Sequence, residues 1–226
     1  MFDLDYSALL PYTDRMLDGI ILTVQLTVAS SILGFVIGTL CAIARRSQVR
    51  WLSFLCGVYV EIIRNTPFLV QIFLVYFGLA SIGISLSAFT VATAAMVITV
   101  GAYSAEIMRA GFGSIPHGQI EAGESLGLSK FRIYWHVMLL PAIERVYPAL
   151  TSQFVLMMLG TSIASQISAE EVTAVTNYVQ SATYRAFEAY TVLAVIYLAL
   201  SFVMRFCFWV IGLALFPRRR RLRTPI

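Results

Sequence analysis

Charged residues are scarce in this sequence. They make up 12% of its 226 residues, against about 25% in an average soluble domain, whereas hydrophobic residues make up 59%. Because so few charges could not cover the surface of a water-soluble fold, the composition excludes a soluble protein. The apolar residues instead form long blocks, several of which reach the roughly 18 to 20 residues that cross about 30 Å of hydrocarbon. The sequence therefore predicts an integral membrane protein.

Lysine and histidine are nearly absent, which limits the chemistry of the chain. Its only lysine, Lys130, follows Leu126-Gly127-Leu128-Ser129, so no G-x-x-x-x-G-K-[ST] phosphate-binding loop exists. Any ATP must be hydrolysed by another chain. His117 and His136 have no cysteine or second histidine beside them, which is a poor pattern for a metal site. We therefore expect no catalytic residues, metal or cofactor in this chain.

Cysteine is also scarce, and the excess positive charge is local. Cys41, Cys56 and Cys207 lie far apart in apolar surroundings, which does not indicate a disulfide framework. The net charge of +4 comes mostly from the run Arg218–Arg221 with Arg223, directly after an apolar segment. Such a run is typical of an anchor on the cytoplasmic membrane surface. It favours membrane lipid as a partner and not nucleic acid.

The predicted fold is all-α, with five transmembrane helices. The second segment opens on the polar residues Glu61 to Thr66 and then Pro67, which predicts a break between an interfacial helix over about 51–64 and the span itself. The first segment lacks the basic flank of a cleaved signal peptide and is expected to be retained. The five spans cover about 19–44, 66–84, 86–108, 148–168 and 190–215.

The charges that flank these spans predict an orientation. Basic residues follow the first span, occupy the stretch between the third and fourth, and follow the fifth, whereas acidic residues dominate the opposite regions. Because basic loops stay in the cytoplasm, the N-terminus is expected outside and the C-terminus inside.

The cytoplasmic stretch over about 109–147 is too long for a simple connection and predicts two helices. The first is expected to start near Ser114 and Pro116 and to run through Leu126, with Gly127 as the left-handed residue that ends it. Ser129 would cap a second helix from Lys130 to about Leu139, and Pro141 would close it. That helix carries its large apolar residues at helical spacing and would pack through one face: Phe131, Tyr134, Trp135 and Met138.

Several motifs of the chain resemble one family. The run from Gly118 to Ser129, GQIEAGESLGLS, followed by Leu140-Pro141, resembles the EAA loop of permease subunits in bacterial ABC importers. Three further stretches are similar to the polar amino acid and opine branch of these permeases. They are Arg64-Asn65-Thr66-Pro67, the octapeptide from Ala102 to Arg109, and Thr161-Ser162 with Glu171 nine residues on.

The chain also departs from that family pattern. Gly123 stands where alanine is usual, Pro141 lies one residue further from Gly127 than is common, and Leu159-Gly160 replaces a frequent lysine-containing pair. The first change is mild because both residues are small. The other two affect the docking geometry of the loop and the fourth span.

The resemblance implies that residues 1–226 form one transmembrane domain of an ATP-driven importer in a bacterial inner membrane. Its solute would be a polar amino acid or a related compound such as an opine. The implied partners are a second permease subunit, identical or homologous, cytoplasmic ATPases that hold ATP and Mg²⁺, and an extracytoplasmic solute-binding protein. The residues implied in coupling to the ATPase are Gly118, Glu121, Ala122, Gly123, Gly127, Leu140 and Pro141.

Polar residues within or beside the spans are candidates for a translocation path or gate, since ionisable and amide groups at membrane depth usually point inward. The alternative is that they form local ion pairs at i, i+3 spacing, Glu61 with Arg64 and Glu106 with Arg109, or hydrogen bonds between helices. Gly34 and Gly38 similarly permit a close helix contact, within the chain or with a second permease. The path candidates are Arg64, Thr66, Pro67, Gln71, Tyr103, Glu106, Gln153 and Ser162.

Three other functions remain open at this stage. A permease for methionine, an osmolyte or an anion would share the same loop. A membrane-embedded enzyme should carry clustered acidic residues or histidines at one membrane depth, and the sequence has no such cluster. A non-transporting scaffold would bind partners without solute-stimulated ATP hydrolysis.

Overall fold

The computed structural model describes residues 4–216, and within that range the regular elements are all helices. The arginine run that was predicted to anchor the C-terminus lies outside the described residues. A short 3₁₀ helix, Ser7–Tyr12, precedes the α-helices. These are α1 (Thr13–Arg45), α2 (Arg50–Arg64), α3 (Phe68–Ser81), α4 (Ala88–Gly113), α5 (His117–Ser125), α6 (Lys130–Arg132), α7 (Leu140–Gly160), α8 (Val172–Thr183) and α9 (Ala186–Leu215).

Four helical segments are long and apolar enough to cross a membrane, and the α2–α3 pair makes a fifth if it forms one bent span. The four are Ser7–Arg45, Ala88–Gly113, Lys130–Ile167 and Ala186–Leu215. Five of the ten predicted ends, those at residues 19, 44, 108, 148 and 190, lie inside the observed helical segments. Hydropathy marks only the apolar part of a helix, whereas the hydrogen-bonded backbone continues into polar residues such as Thr13 and Arg45.

The predicted break before the second span is confirmed. α2 and α3 meet at an angle of 109°, and Pro67 stands in extended conformation at the start of α3. The helix ends at Ser81 rather than near residue 84, because Gly83 turns the chain with a φ of +81°. Its 14 residues extend about 21 Å, so α3 alone is too short to cross about 30 Å of hydrocarbon.

α4 lies at the centre of the bundle and packs most extensively against α1. The contact is close because Gly34 and Gly38 of α1 lie against Val100, Gly101 and Ser104 of α4. A side chain at Gly38 would begin 2.6 Å from the Gly101 carbonyl oxygen. The glycine pair therefore joins two helices of the same chain, which settles the alternative that the sequence left open for this face. α9, by contrast, is the most exposed span.

The first loop helix begins later than predicted. Ser114 does not cap it: this residue ends α4, and its hydroxyl donates to the Gly111 carbonyl. Pro116 occupies the position before the helix, which runs only from His117 to Ser125. Its predicted termination is confirmed. Gly127 has a φ of +67°, and the amides of Gly127 and Leu128 donate back to Glu124 and Gly123, which is the Schellman arrangement.

The second loop helix does not end at Pro141, so that prediction was wrong. Ser129 does cap its start, accepting from the Arg132 amide at 3.4 Å. The backbone then widens into a π-helix over Ile133–Leu139 and continues directly into α7, in whose first turn Pro141 lies. A proline inside a helix lacks an N–H and crowds the preceding turn. The wider π turn immediately before it accommodates the ring.

The π segment also divides the apolar face that was predicted to pack as one. Tyr134 and Met138 point inward, and the Tyr134 ring packs on Phe112 at 5.8 Å between centroids. Phe131 and Trp135 stay exposed and stack on each other at 6.4 Å with their planes 15° apart. The rotation per residue differs in a π turn, so α-helical spacing does not keep these four side chains together.

α8 was not predicted, and a buried carboxylate fixes it in place. Glu171 is fully buried at its N-terminus and accepts from the Ala174 amide at 2.9 Å. The Tyr197 hydroxyl on α9 donates to the same carboxyl group at 2.8 Å. The Thr23 hydroxyl of α1 accepts from the Val172 amide at 3.2 Å. Glu171 thus ties α8 to α9, while α1 holds the start of α8.

Burial raises the pKa of Glu171 above its ordinary value, despite the hydrogen bonds that favour its charged form. The folded protein therefore holds a proton there more tightly than the unfolded chain. We expect this group's contribution to the stability to fall as the pH rises from the ordinary range of a glutamate through the raised pKa. The wild-type chain in detergent should lose thermal stability over that interval relative to Glu171→Gln, which cannot ionise. Equal pH dependence of both melting temperatures would contradict this.

Candidate translocation pocket and coupling loop

An open pocket of about 250 Å³ lies where α3, α4 and α7 meet the 3₁₀ segment Thr161–Ile167. Four of the predicted path residues line it together, although they come from three distant parts of the sequence. The lining residues are Thr66, Phe68, Gln71, Thr99, Tyr103, Gln153, Leu156, Met157, Gly160 and Ile163. The lining combines hydroxyl and amide groups with apolar side chains. A small polar molecule with an apolar part fits such a lining.

Gln71 lines this pocket, and its side-chain amide also holds the surrounding backbone in place. Its side-chain nitrogen lies 2.8 Å from the Ile63 carbonyl and 2.9 Å from the Thr66 carbonyl. Its side-chain oxygen accepts from the Thr99 hydroxyl at 2.8 Å. Both carbonyls belong to the broken segment between α2 and α3, where helical hydrogen bonds end. Gln71 therefore connects the break to α4, and its amide is largely occupied by the protein itself.

Replacing Gln71 should destabilise the chain far more than replacing an exposed glutamine in a span. Gln71→Leu removes the side-chain donor of the Ile63 and Thr66 carbonyls, which costs about 1–3 kcal/mol per unsatisfied group, whereas the Thr99 hydroxyl keeps the Ala95 carbonyl as its acceptor. Gln25 of α1 is exposed, so Gln25→Leu is the matched control and should be near neutral. Thermal unfolding in detergent measures both. Equal melting temperatures for the two variants would show that the Gln71 bonds do not support the break.

An ionic cluster lies beyond the pocket, at the end of α4 that leads into residues 109–147, the predicted coupling loop. Glu106 accepts from Arg45 of α1 at 2.9 Å and also pairs with Arg109 of its own helix. Arg64, at the end of α2, is 3.9 Å away. The predicted pairing of Glu106 with Arg109 is therefore present, within a larger cluster that includes Arg45, which the sequence did not single out.

Arg64 connects the cluster to the pocket. Its guanidinium carbon lies 5.6 Å from the centre of the Tyr103 ring, and Tyr103 lines the pocket. The i, i+3 spacing predicts that Arg64 pairs with Glu61. Among the described ion pairs, however, Arg64 pairs only with Glu106. The Glu61 carboxylate instead accepts from the Asn65 side-chain amide. The 109° bend after α2 carries Arg64 towards α4, which local spacing cannot reveal.

Two other path candidates contribute backbone shape and do not line the pocket. Pro67 sets the extended start of α3, and the Ser162 hydroxyl donates to the Leu159 carbonyl next to the pocket wall. The lining residues that sequence reasoning missed are mostly apolar, such as Leu156 and Met157. Thr99 could have been found, because it precedes Tyr103 by four residues and so shares its helix face.

The coupling-loop residues divide into an outer and an inner set. Gly123 is buried, and a side chain there would begin 3.2 Å from Ile133, so it lets α5 pack on the π segment of its own chain. Pro141 is partly buried in α7. Glycine in place of alanine at residue 123 is thus explained by packing within the chain, against Ile133. The exposed set, free to meet a partner, is Gly118, Glu121, Ala122, Gly127 and Leu140.

Large apolar side chains accompany this exposed set. Leu126 is 80% exposed, Phe131 74% and Trp135 46%. Their concentration on one short loop, beside Glu121 and Glu124, is typical of a protein-binding surface. Arg145 of α7 donates to the Ser114 carbonyl and so fixes the start of the loop to the bundle.

Comparison with known proteins identifies the family. Residues 34–221 match the family described as binding-protein-dependent transport system inner membrane components. This chain belongs to that family. It is therefore a multi-pass permease subunit of an ABC importer, located in the inner membrane. The predicted resemblance of the chain to such permeases is confirmed.

Relatives of this permease share most of its length. The octopine transport system permease protein OccM of Rhizobium meliloti is 36% identical over 93% of this chain and 90% of its own. The glutamine transport system permease protein GlnP of Escherichia coli strain K12 is 33% identical over 89% of this chain and 93% of its own. The L-cystine permease protein TcyB of Bacillus subtilis is 39% identical over 68% of this chain and 65% of its own.

Solved structures agree with the architecture of the permease. A crystal structure of an amino acid ABC transporter with histidines has a TM-score of 0.85 and 33% identity, over 93% of this chain and 99% of that one. An inward-facing form of the MetNI methionine ABC transporter has a TM-score of 0.74 at 22% identity, over 91% and 98%; it supports the fold alone. Among the described residues, no group of three or more metal-ligating side chains lies close enough to hold an ion.

Proposed function

We propose that this permease imports polar amino acids or related compounds such as opines, and that the solute crosses through the pocket between α3, α4 and α7. The observation that carries the proposal is the pocket itself: its lining includes the Tyr103 hydroxyl and the Gln153 amide, which offer both donors and acceptors to a zwitterion. The names of the full-length relatives support the same solute class.

The path is completed by a second permease subunit, identical or homologous. The pocket is open, and the face of α7 that carries its lining residue Leu156 is exposed. A second subunit that covers this face would close the pocket laterally and leave it open along the membrane normal. Residues 1–226 form one transmembrane domain in this arrangement.

The coupling loop lies in the cytoplasm, with the N-terminus outside and the C-terminus inside. Arg45 and Arg109, at the ends of α1 and α4, meet at one end of the bundle, and basic residues favour the cytoplasmic side. ATPase subunits, which hold ATP and Mg²⁺, dock on the exposed loop residues Glu121, Ala122 and Leu126. A solute-binding protein delivers the solute on the opposite side.

Transport proceeds by alternating access. ATP-bound ATPases hold the cytoplasmic end shut, and hydrolysis reverses this, each state being favoured by the ligand that binds it better. The loop follows the ATPases because Gly127 fixes the angle between α5 and α6.

Uptake into proteoliposomes tests the solute class. The assembled complex, with ATP inside and the solute-binding protein outside, is given radiolabelled octopine, L-glutamine, L-arginine, L-cystine, L-methionine, glycine betaine and sulfate in turn. We expect ATP-dependent accumulation of at least one of the first four. Accumulation of only methionine, betaine or sulfate would reassign the solute, and no ATP-dependent uptake by an assembled complex would favour a scaffold.

A further inference from the structure

The ionic cluster beside the pocket carries more positive charge than its carboxylate neutralises. Arg45, Arg64 and Arg109 surround Glu106 alone, so three positive charges and one negative charge leave a net charge of +2. Glu61, the nearest acid along the chain to Arg64, accepts from the Asn65 amide and forms no ion pair with Arg64 within residues 4–216. The cluster is therefore suited to receive a second anionic group.

Arg64 is the arginine that is free to receive it. Arg45 is 2.9 Å from Glu106, and Arg109 pairs with the second oxygen of that carboxylate. Arg64 is 3.9 Å away, beyond hydrogen-bonding distance, and its side chain is 37% exposed against 20% for Arg45. Its contact with Glu106 is the one that a ligand can displace at the lowest cost.

The position of Arg64 is at the loop end of the pocket. Thr99, Tyr103 and Glu106 follow one another on one face of α4, rising about 1.5 Å per residue. Thr99 and Tyr103 line the pocket, and Glu106 lies in the cluster beyond it. The Arg64 guanidinium lies over the Tyr103 ring, so a molecule in the pocket meets Arg64 before it meets the other two arginines.

We infer that Arg64 binds the carboxylate of the imported solute at this end of the pocket. The planar fork of a guanidinium matches a carboxylate with two parallel hydrogen bonds, and the Tyr103 ring holds it in place through a cation–π contact. The solute then replaces the weak contact between Arg64 and Glu106. This assignment rests on the proposed function, since the carboxylate is that of the amino acid or opine.

Arg64 then sets specificity for the acid over its amide. A neutral carboxamide of the same size offers one acceptor and no charge, so the wild-type complex should bind it about tenfold or more weakly than the parent amino acid. Arg64→Gln should remove most of this discrimination, because a neutral amide side chain treats the two ligands alike. Arg64→Lys keeps the charge without the fork and should be intermediate.

Binding is measured on the complex of permease and ATPase in nanodiscs, without the solute-binding protein, so that only the permease discriminates. The probe is the radiolabelled member of the uptake panel that the wild type accumulates. Unlabelled amino acid and its α-carboxamide compete for it. Arg50→Gln is the matched control: it removes the same charge from the other end of α2 and should keep the wild-type ratio.

A second measurement does not depend on knowing the solute. Leu156 lines the pocket and is 62% exposed, so Leu156→Cys places a thiol there once the native cysteines are replaced. Its reaction rates with a sulfonate and a trimethylammonium methanethiosulfonate are compared. Arg64→Gln should lower the ratio of anionic to cationic rate about threefold or more, whereas Arg50→Gln should leave it unchanged.

The outcomes separate the two ideas. If the wild type accumulates none of octopine, glutamine, arginine and cystine, the proposed function fails, while the thiol rates still decide whether Arg64 makes the pocket anion-selective. If uptake occurs but Arg64→Gln keeps both the acid-to-amide ratio and the thiol rate ratio, the assignment of Arg64 is overturned. Loss of both ratios in Arg64→Gln, with Arg50→Gln unaffected, supports it.

Discussion

Gly38→Ala is expected to destabilise the permease strongly, although it adds only one methyl group. That methyl would lie 2.6 Å from the Gly101 carbonyl oxygen, 2.6 Å from Ser104 Cβ and 2.8 Å from the Ala105 amide nitrogen. These atoms are backbone or close to it and cannot move without separating α1 from α4. Overpacking of this kind costs about 1–3 kcal/mol.

Gly57→Ala is the matched control for that prediction. Gly57 lies within α2, and a methyl group there has no neighbouring atom within 4 Å. Both variants gain the helix propensity of alanine, about 1 kcal/mol, so their difference isolates the clash. We expect Gly38→Ala to melt well below the wild type and Gly57→Ala to melt at or above it. Equal melting temperatures would mean that the α1–α4 contact is looser than 2.6 Å implies.

Gly127→Ala is expected to weaken coupling to the ATPase while leaving the membrane spans folded. A side chain at a φ of +67° costs about 1–2 kcal/mol, and relieving that strain changes the angle between α5 and α6. Since 1.4 kcal/mol corresponds to about a factor of ten, ATP hydrolysis stimulated by loaded binding protein should fall roughly tenfold. Gly127→Val should be worse, because its branched side chain tolerates a positive φ less.

Gly113→Ala serves as the comparison for the loop. Gly113 is also exposed and also has open space for a methyl group, but it ends α4 without a positive φ. Its stimulated hydrolysis should equal that of the wild type. If Gly127→Ala matches Gly113→Ala in hydrolysis and in retention of the ATPase during purification, the angle set by Gly127 does not control docking.

The sequence predicted the elements whose causes are local. Pro67 predicted the break between α2 and α3 because a missing N–H and a fixed φ act on adjacent residues. Gly127 predicted the end of α5 for a similarly local reason. The prediction that Pro141 ends the second loop helix was wrong. The rule that proline ends a helix does not take account of a preceding π turn, which here lets the backbone continue into α7.

The site was predictable in its residue types but not in its pairings. Thr66, Gln71, Tyr103 and Gln153 were expected to be near a path because polar groups in spans are few, and one pocket contains all four. The partner of Gln71 on α4 and the approach of Arg64 to Glu106 depend on how far the chain bends after α2. Gly123 likewise looked like part of a docking face, whereas it packs on Ile133. Contacts between distant elements set these roles.

ATP hydrolysis by the complete complex in lipid tests the central claim most directly. Hydrolysis is measured with and without solute-loaded binding protein, for the wild type, Glu121→Gln and Glu121→Lys. The account predicts stimulation in the wild type, weaker stimulation when the exposed Glu121 loses its charge, and loss of stimulation when the charge is reversed, with insertion and assembly intact. The account would be contradicted if, in an assembled complex, neither the loaded binding protein nor the Glu121 substitutions changed the rate of hydrolysis.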